Sequence, residues 1–391
     1  MKLRSSKIIE IELTPIHMPF KKPIREIMSG GQGGLGMAIA AEEEWLGGDY
    51  VICKLISDTG FVGLGEVYVW LPETGVSPAQ IIDTIQSHLK KYILGESLAN
   101  INRINERMNA NVARNEVAKG LIDMACYDML GKIKEQPLWK LWAEIAPQSI
   151  PLTALVPLTS LDLMVMLAKM YVRDGYKSLR IKLGKGVEED KAVISAIRSK
   201  IGSEIALRVD YNQAYSVENA IQAIQAIEPF AIEVAEQPIN ALNFLGMGAV
   251  QKAVNTPLMA HEMAFSLSDL EVLIELGGIR AIGINSERPG GISNAVSAIK
   301  LAIQHEMGVI IHNQTLGIAT AMQIHLAAAF YSQLKYNAEF FGDVMLEDDL
   351  ILQPLKYHRG SVEVPNGFGL GVELDEIALD KYRAGETVQI K

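Results

Sequence analysis

The chain has 391 residues, 49% of them hydrophobic and 21% charged, the profile of an ordinary globular protein. That length exceeds one compact layer and accommodates a barrel of roughly 250 residues with a further domain beside it. A net charge of −10 argues against a nucleic-acid partner, which calls for a basic face, and no apolar run approaches the about 18 residues needed to cross a bilayer.

At the start of the chain, Lys2 and Arg4 precede no continuous apolar core, so a secretory leader is not expected. Cys53 and Cys126 lie far apart and form no Cys-x-x-Cys, which suggests neither a zinc site nor a disulfide framework. A reducing, cytoplasmic setting is the default expectation.

Residues 7–14 and 50–57 read as strands, and Asp58-Thr59-Gly60 is a turn into a third strand over 61–67. Helical patterns follow over 78–92, 99–111 and 114–134, so residues 1–135 form an α+β domain. Between the first two strands, Gly31, Gly33 and Gly36 satisfy G-x-G-x-x-G. A dinucleotide site needs that motif to follow a strand directly and open the helix of a βαβ unit. Neither condition is met, so 29–36 reads as a surface or lid loop. A second such loop, 70–75, follows the third strand, and either could close over a barrel mouth.

From Pro151 an apolar strand and an amphipathic helix alternate about every 25 residues, the pattern of a parallel sheet. Strands are expected near 152–156, 178–182, 205–209, 232–236, 257–261, 280–284, 308–312 and, with the weakest pattern, 337–341. The helices between them include Val187–Ile201 and Val217–Ile227, with apolar residues at three- and four-residue spacing. The fold class is therefore α/β, a (β/α)8-type barrel over 136–359 under an α+β N-terminal cap. The tail, 360–391, has no barrel-like pattern and is expected to return and complete the capping domain.

In such barrels chemistry sits at the carboxyl ends of the strands. Those ends carry Lys182, Asp210, Glu236, the pair His261 and Glu262, Asn285 and His312. Asp210, Glu236 and Glu262 would repel one another in one mouth unless a cation sat among them, and an all-oxygen set suits Mg²⁺. The plainer alternative pairs these acids with core Lys or Arg. His261 and Glu262 are adjacent and alternate along a strand, so only one should aim at the ion; the carboxylate suits magnesium better, leaving His261 behind the ligands or facing substrate. Arg180 and Lys182 share a face, and a lysine beside a permanent cation is suited to act as a base. The alternative is that both only neutralise acids. His312 stands across the mouth as a second proton-transfer group, whereas His325, in mid-helix between Ile324 and Leu326, reads as a packed histidine. Asn285 would orient His312 or bind substrate, or simply cap the loop that follows it.

The chain resembles the enolase superfamily in its mandelate racemase and muconate lactonizing enzyme branches. The resemblance rests on Gly60-Phe-Val-Gly-Leu-Gly-Glu66, Leu207-Arg-Val-Asp-Tyr-Asn-Gln213, Glu236-Gln-Pro238, Gly317-Ile-Ala-Thr320 with His325-Leu-Ala-Ala328, and Val364-Pro-Asn-Gly-Phe-Gly-Leu-Gly371. It covers nearly the whole chain. It implies a capping domain over the barrel, Mg²⁺ on Asp210, Glu236 and Glu262, Asn212 beside substrate or ligands, a homo-oligomer, and a small-molecule carboxylate substrate that loses its α-proton to give a metal-stabilised enediolate.

Three positions depart from the family's pattern. Arg180-Ile-Lys182 stands where many members have Lys-x-Lys, and His261-Glu262 where the muconate branch has Asp-Glu and the mandelate branch Gly-Glu. Asn285 replaces a lysine of the muconate branch and the aspartate that pairs with histidine in the mandelate branch. Lys182 as base with a His312 lacking a carboxylate partner suits dehydration of a hydroxy or sugar acid. Racemisation or epimerisation of an α-substituted carboxylate is the second reading. A barrel that binds metal and carboxylate without turnover is the third. Cycloisomerisation and dipeptide epimerisation fall behind, because both belong with a lysine where Asn285 stands.

Overall fold

The computed structural model describes residues 6–28 and 45–391; the 29–36 glycine motif lies outside the described residues. Ile8–Pro19 (β1), Gly47–Ser57 (β2) and Val62–Val69 (β3) form an antiparallel sheet in which Leu13 faces Cys53 and Cys53 faces Gly65. Helix Glu116–Ile133 lies across it. Gly63 and Gly65 permit that approach, since a Cβ at either would sit 2.1 Å from Ala125 O or 2.5 Å from Leu121 O. The last strand, Val388–Ile390 (β15), adds to the free edge of β1, pairing Ile11 with Ile390, so the end of the chain completes the first sheet.

The second sheet has eight parallel strands in chain order: Thr153–Val156 (β5), Ser178–Lys182 (β6), Ala206–Asp210 (β7), Ile232–Glu236 (β8), Leu258–Ala260 (β9), Ala281–Ile284 (β10), Gly308–Asn313 (β11) and Glu339–Phe340 (β12). Thr153 N donates to Ala338 O at 2.8 Å, which draws the two edges into a nearly closed barrel. Ser149–Pro151 (β4), Tyr357–His358 (β13) and Ser361–Glu363 (β14) make a small antiparallel sheet. Inside the barrel, Val234, Met259, Ala281, Ile310 and Tyr336 pack together. The apolar filling stops one layer up, where the same strands deliver polar side chains.

Buried carboxylates lock the cap to the barrel. Asp128 accepts from Leu64 N and Leu370 N, both at 2.8 Å, and from Lys132 Nζ at 2.6 Å, joining β3 to the returning tail. Glu66, the last residue of the Gly60–Glu66 motif, accepts from Leu316 N at 2.7 Å and Ala319 N at 3.0 Å, capping helix Gly317–Ala329, which is buried on all sides. His325 of that helix is fully buried and bonds Leu370 O at 3.0 Å, the packed role expected of it.

Burial, outweighing the N–H groups of Ala319 and Leu316, pushes the Glu66 carboxyl from 4.5 up to about 8. Below the lower value both folded and unfolded states hold the proton; between the two only the folded state does. Stability is therefore expected to fall as pH rises across that window, by at most about 1.4 kcal/mol per pH unit. Urea midpoints measured from pH 5 to 9 should show this slope, and Glu66→Gln, which has no proton to lose, should flatten it. An unchanged slope in the variant would assign the effect to another group.

Candidate active site

Strand register sets the heights of the polar residues. Lys182 pairs with Asp210 and Asp210 with Glu236, so β6, β7 and β8 present them in one layer, with Arg180 and Arg208 one layer below. Arg180 is the hub. Its guanidinium bonds Asp210, Glu236 at 2.8 Å and Glu339 at 3.0 Å, and Glu339 also accepts from Arg208 at 2.7 Å. Lys182 Nζ lies 2.6 Å from Asp210 Oδ2 and bonds Asn212 Oδ1. Asn212 in turn donates to Glu262 Oε1 at 3.1 Å. Burial would raise the Asp210 carboxyl, but Arg180 and Lys182 overcome it and hold it down to about 2.

The fifth barrel strand ends earlier than the sequence pattern suggests. Its last residue is Ala260, and His261 begins a turn closed by Ala264 N to His261 O at 3.1 Å. Gln237 fixes that turn by accepting from His261 N at 3.1 Å and Met263 N at 3.2 Å. Strand alternation, on which the expectation that only one of the pair aims at the ion rests, does not apply there: His261 Nδ1 lies 3.6 Å from Glu262 Oε2 and 3.3 Å from Glu236 Oε1.

Asn285 is also reassigned. Its Oδ1 accepts from Arg288 N at 2.8 Å, the loop-capping alternative, although the residue still borders the cavity. His312 is held instead by His261, Nε2 to Nε2, with ring centroids 4.1 Å apart. Gly283 makes room for this pair: a Cβ there would lie 2.9 Å from His261 and 3.5 Å from His312. Burial, then Arg288, keeps His261 well below the usual imidazole range, and burial, then His261, does the same to His312.

Sequence reasoning missed Arg288, Glu73, Glu287 and Glu339. Arg288 is buried and bonds His261 Nε2 at 2.7 Å and Glu73 at 2.9 Å. Glu73 sits in the 70–75 stretch already marked as a possible cover, which forms the short helix Leu71–Thr74 rather than a loop, and Glu339 opens the two-residue eighth barrel strand in register with His312. With the stacked pair Trp45 and Trp70 and with Tyr68, residues Arg288, Glu73 and Glu287 border a small cavity of about 50 Å³ also lined by Arg180, Lys182, Asn212, His261 and His312.

The site fits a divalent cation. Carboxylates Asp210, Glu236, Glu262, Glu339, Glu73 and Glu287 outnumber the cations Arg180, Lys182, Arg208 and Arg288. Burial raises the carboxyls of Glu236 and Glu262. Glu262 Oε2 and His261 Nδ1 are buried without a hydrogen bond. Among the described residues, the sets whose ligand atoms fall within 4.8 Å of one another are Glu236, His261 and His312, and Glu73, His261 and Glu262. The sequence-based trio is thus drawn together only in part, Asp210 being taken up by Arg180, Lys182 and Asn212 N.

Residues 37–142 match the family described as mandelate racemase / muconate lactonizing enzyme, N-terminal domain, and 163–378 match enolase C-terminal domain-like. The chain is 34% identical to a hydrophobic dipeptide epimerase of Enterococcus faecalis over 72% of this chain and 79% of that one. The structure resembles N-succinyl Arg/Lys racemase of Bacillus cereus, with a TM-score of 0.88, 25% identity and coverage of 98% and 100%. It also resembles a dipeptide epimerase of Cytophaga hutchinsonii solved with Mg and the dipeptide D-Ala-L-Val, with a TM-score of 0.85, 25% identity and coverage of 98% and 100%. Among the described residues, no helix is long and apolar enough to cross a membrane.

Proposed function

Because the chain belongs to the mandelate racemase/muconate lactonizing enzyme family of the enolase superfamily, we propose that it takes the α-proton from a carboxylate substrate and returns one to the same carbon. The reaction is racemisation or epimerisation of an α-substituted carboxylic acid. The observation that carries this reading is that Lys182 and His312, from the second and seventh barrel strands, border one buried cavity. Lys182 Nζ, steered by Asp210 and Asn212, takes the proton from one face. The His312 ring, as imidazolium, supplies one from the other face through Nδ1, the nitrogen not engaged by His261, and is left neutral. In the reverse direction the two exchange roles. Trp45, Tyr68 and Trp70 exclude water from above, and residues 360–391 complete the cap that carries them over the barrel of 136–359.

Asp210, Glu236 and Glu262 would hold a divalent cation, with Mg²⁺ the ion implied by the family, and His261 stands beside them. When bound, such an ion offsets the negative charge that develops on the substrate carboxylate.

The relatives' names support racemisation over the dehydration that the sequence favoured. These are named a dipeptide epimerase and an N-succinyl Arg/Lys racemase, so N-acyl amino acids and dipeptides lead the substrate panel, although Asn285 stands where the sequence reading wanted a lysine for dipeptide epimerisation, and hydroxy acids follow. Dehydration keeps one supporting observation: His312 pairs with a histidine rather than a carboxylate, which suits a proton donor to a departing hydroxyl.

The test is incubation of the panel with enzyme and Mg²⁺ in deuterated water, reading deuterium at the α-carbon and the configuration of the product. Inversion with deuterium incorporation is expected; loss of water instead would favour dehydration. Absence of exchange across the panel would leave only a binding role. His312→Asn should slow inversion by at least about 10²-fold while Lys182 still exchanges the proton on its own face. Undiminished inversion in that variant would overturn the two-sided arrangement.

A further inference from the structure

We propose that His261 is itself a ligand of the cation, through Nδ1 between Glu236 and Glu262, and that this nitrogen turns the site from a magnesium site into one that prefers a transition-metal ion. The inference rests on the divalent cation of the proposed function and specifies its chemistry.

His261 is the member common to both groups of metal-competent side chains. Its Nδ1 lies 3.3 Å from Glu236 Oε1 and 3.6 Å from Glu262 Oε2. With metal–ligand bonds of about 2.0–2.2 Å, neighbouring donors around one ion sit roughly 3.0–3.5 Å apart, so these pairs stand near ligand spacing. Both Nδ1 and Glu262 Oε2 are buried and make no hydrogen bond, a costly condition that a shared cation relieves.

The opposite face of the ring is already held. Nε2 meets His312 Nε2 and lies 2.7 Å from Arg288, and the Gln237 carbonyl fixes the backbone of the turn. Ligating histidines are oriented in this way through their second nitrogen. Arg288 can only donate, so ligation through Nδ1 with the ring proton on Nε2 requires it to leave Nε2 for its 2.9 Å pair with Glu73. Asp210, whose carboxylate serves Arg180, Lys182 and Asn212 N, is the acid least available to the ion. Imidazole favours cobalt, nickel and zinc over magnesium, which prefers an all-oxygen shell.

The test uses the full chain and metal ions alone. Pulsed electron paramagnetic resonance of the Mn²⁺-loaded wild type should show nitrogen coupling from one imidazole, and His261→Asp should lose it. Equilibrium dialysis should give Co²⁺ an affinity at least about 100-fold above that for Mg²⁺, and His261→Asp should narrow the ratio at least tenfold. Absence of nitrogen coupling in the wild type, or an unchanged ratio in a folded variant, would overturn the proposal. Proton exchange is read separately. Nitrogen coupling without exchange sinks the proposed reaction and leaves this ligand standing, and exchange without coupling does the reverse.

Discussion

In deuterated water, Lys182→Met is expected to slow incorporation at the substrate α-carbon by about 10²–10⁴-fold, the range for losing a positioned proton-transfer group. Methionine keeps the length and apolar stem of the side chain, so the buried volume changes little. Asp210 retains Arg180 and the Asn212 backbone N–H as partners, which should preserve the fold. Circular dichroism and metal binding are expected to stay close to wild type while exchange disappears. If exchange survived in the folded variant, the base would have to be another residue on the cavity, and the arrangement of Lys182 against His312 would fall with it.

Arg180→Met is expected to act on stability first. The arginine is buried, and its guanidinium satisfies Asp210, Glu236 and Glu339 together. Removing one partner of a buried ionic cluster leaves uncompensated charge and costs about 3–5 kcal/mol, read as a lower urea midpoint at unchanged slope. Arg180→Lys should recover only part of this, because an ammonium cannot present the planar fork that reaches the carboxylates on β7, β8 and β12. Wild-type stability in Arg180→Met would mean that the acids are held by other means, and that Arg180 serves instead as the cation beside Lys182 that suits the lysine to act as a base.

The barrel was legible because its signal is local. Helices Val187–Ile201 and Val217–Ile227 lie where the three- and four-residue spacing puts them, and β6 and β8 where the apolar runs do. Once those strands are parallel, the residues at their carboxyl ends must share one mouth, which is why Lys182, Asp210, Glu236 and His312 could be named from their position in the sequence. Even the weakly patterned eighth strand exists, reduced to Glu339–Phe340.

Partnerships were a different matter. Chain order says nothing of which cation meets which acid, and Arg288 meets Glu73 only because the cap docks on the barrel. Nor does alternation foresee that β9 stops at Ala260 and that a turn clamped by Gln237 swings His261 toward Glu236 and Glu262. The sequence by itself determined the architecture and the residues presented at the mouth, since hydrophobic periodicity is a property of neighbours along the chain. Only the tertiary structure decided that Arg180 binds the acids together, that Asn285 caps a loop, and that His261 stands at the centre. Those outcomes depend on distances between segments far apart in sequence, which are set when the cap, the barrel and the returning tail pack.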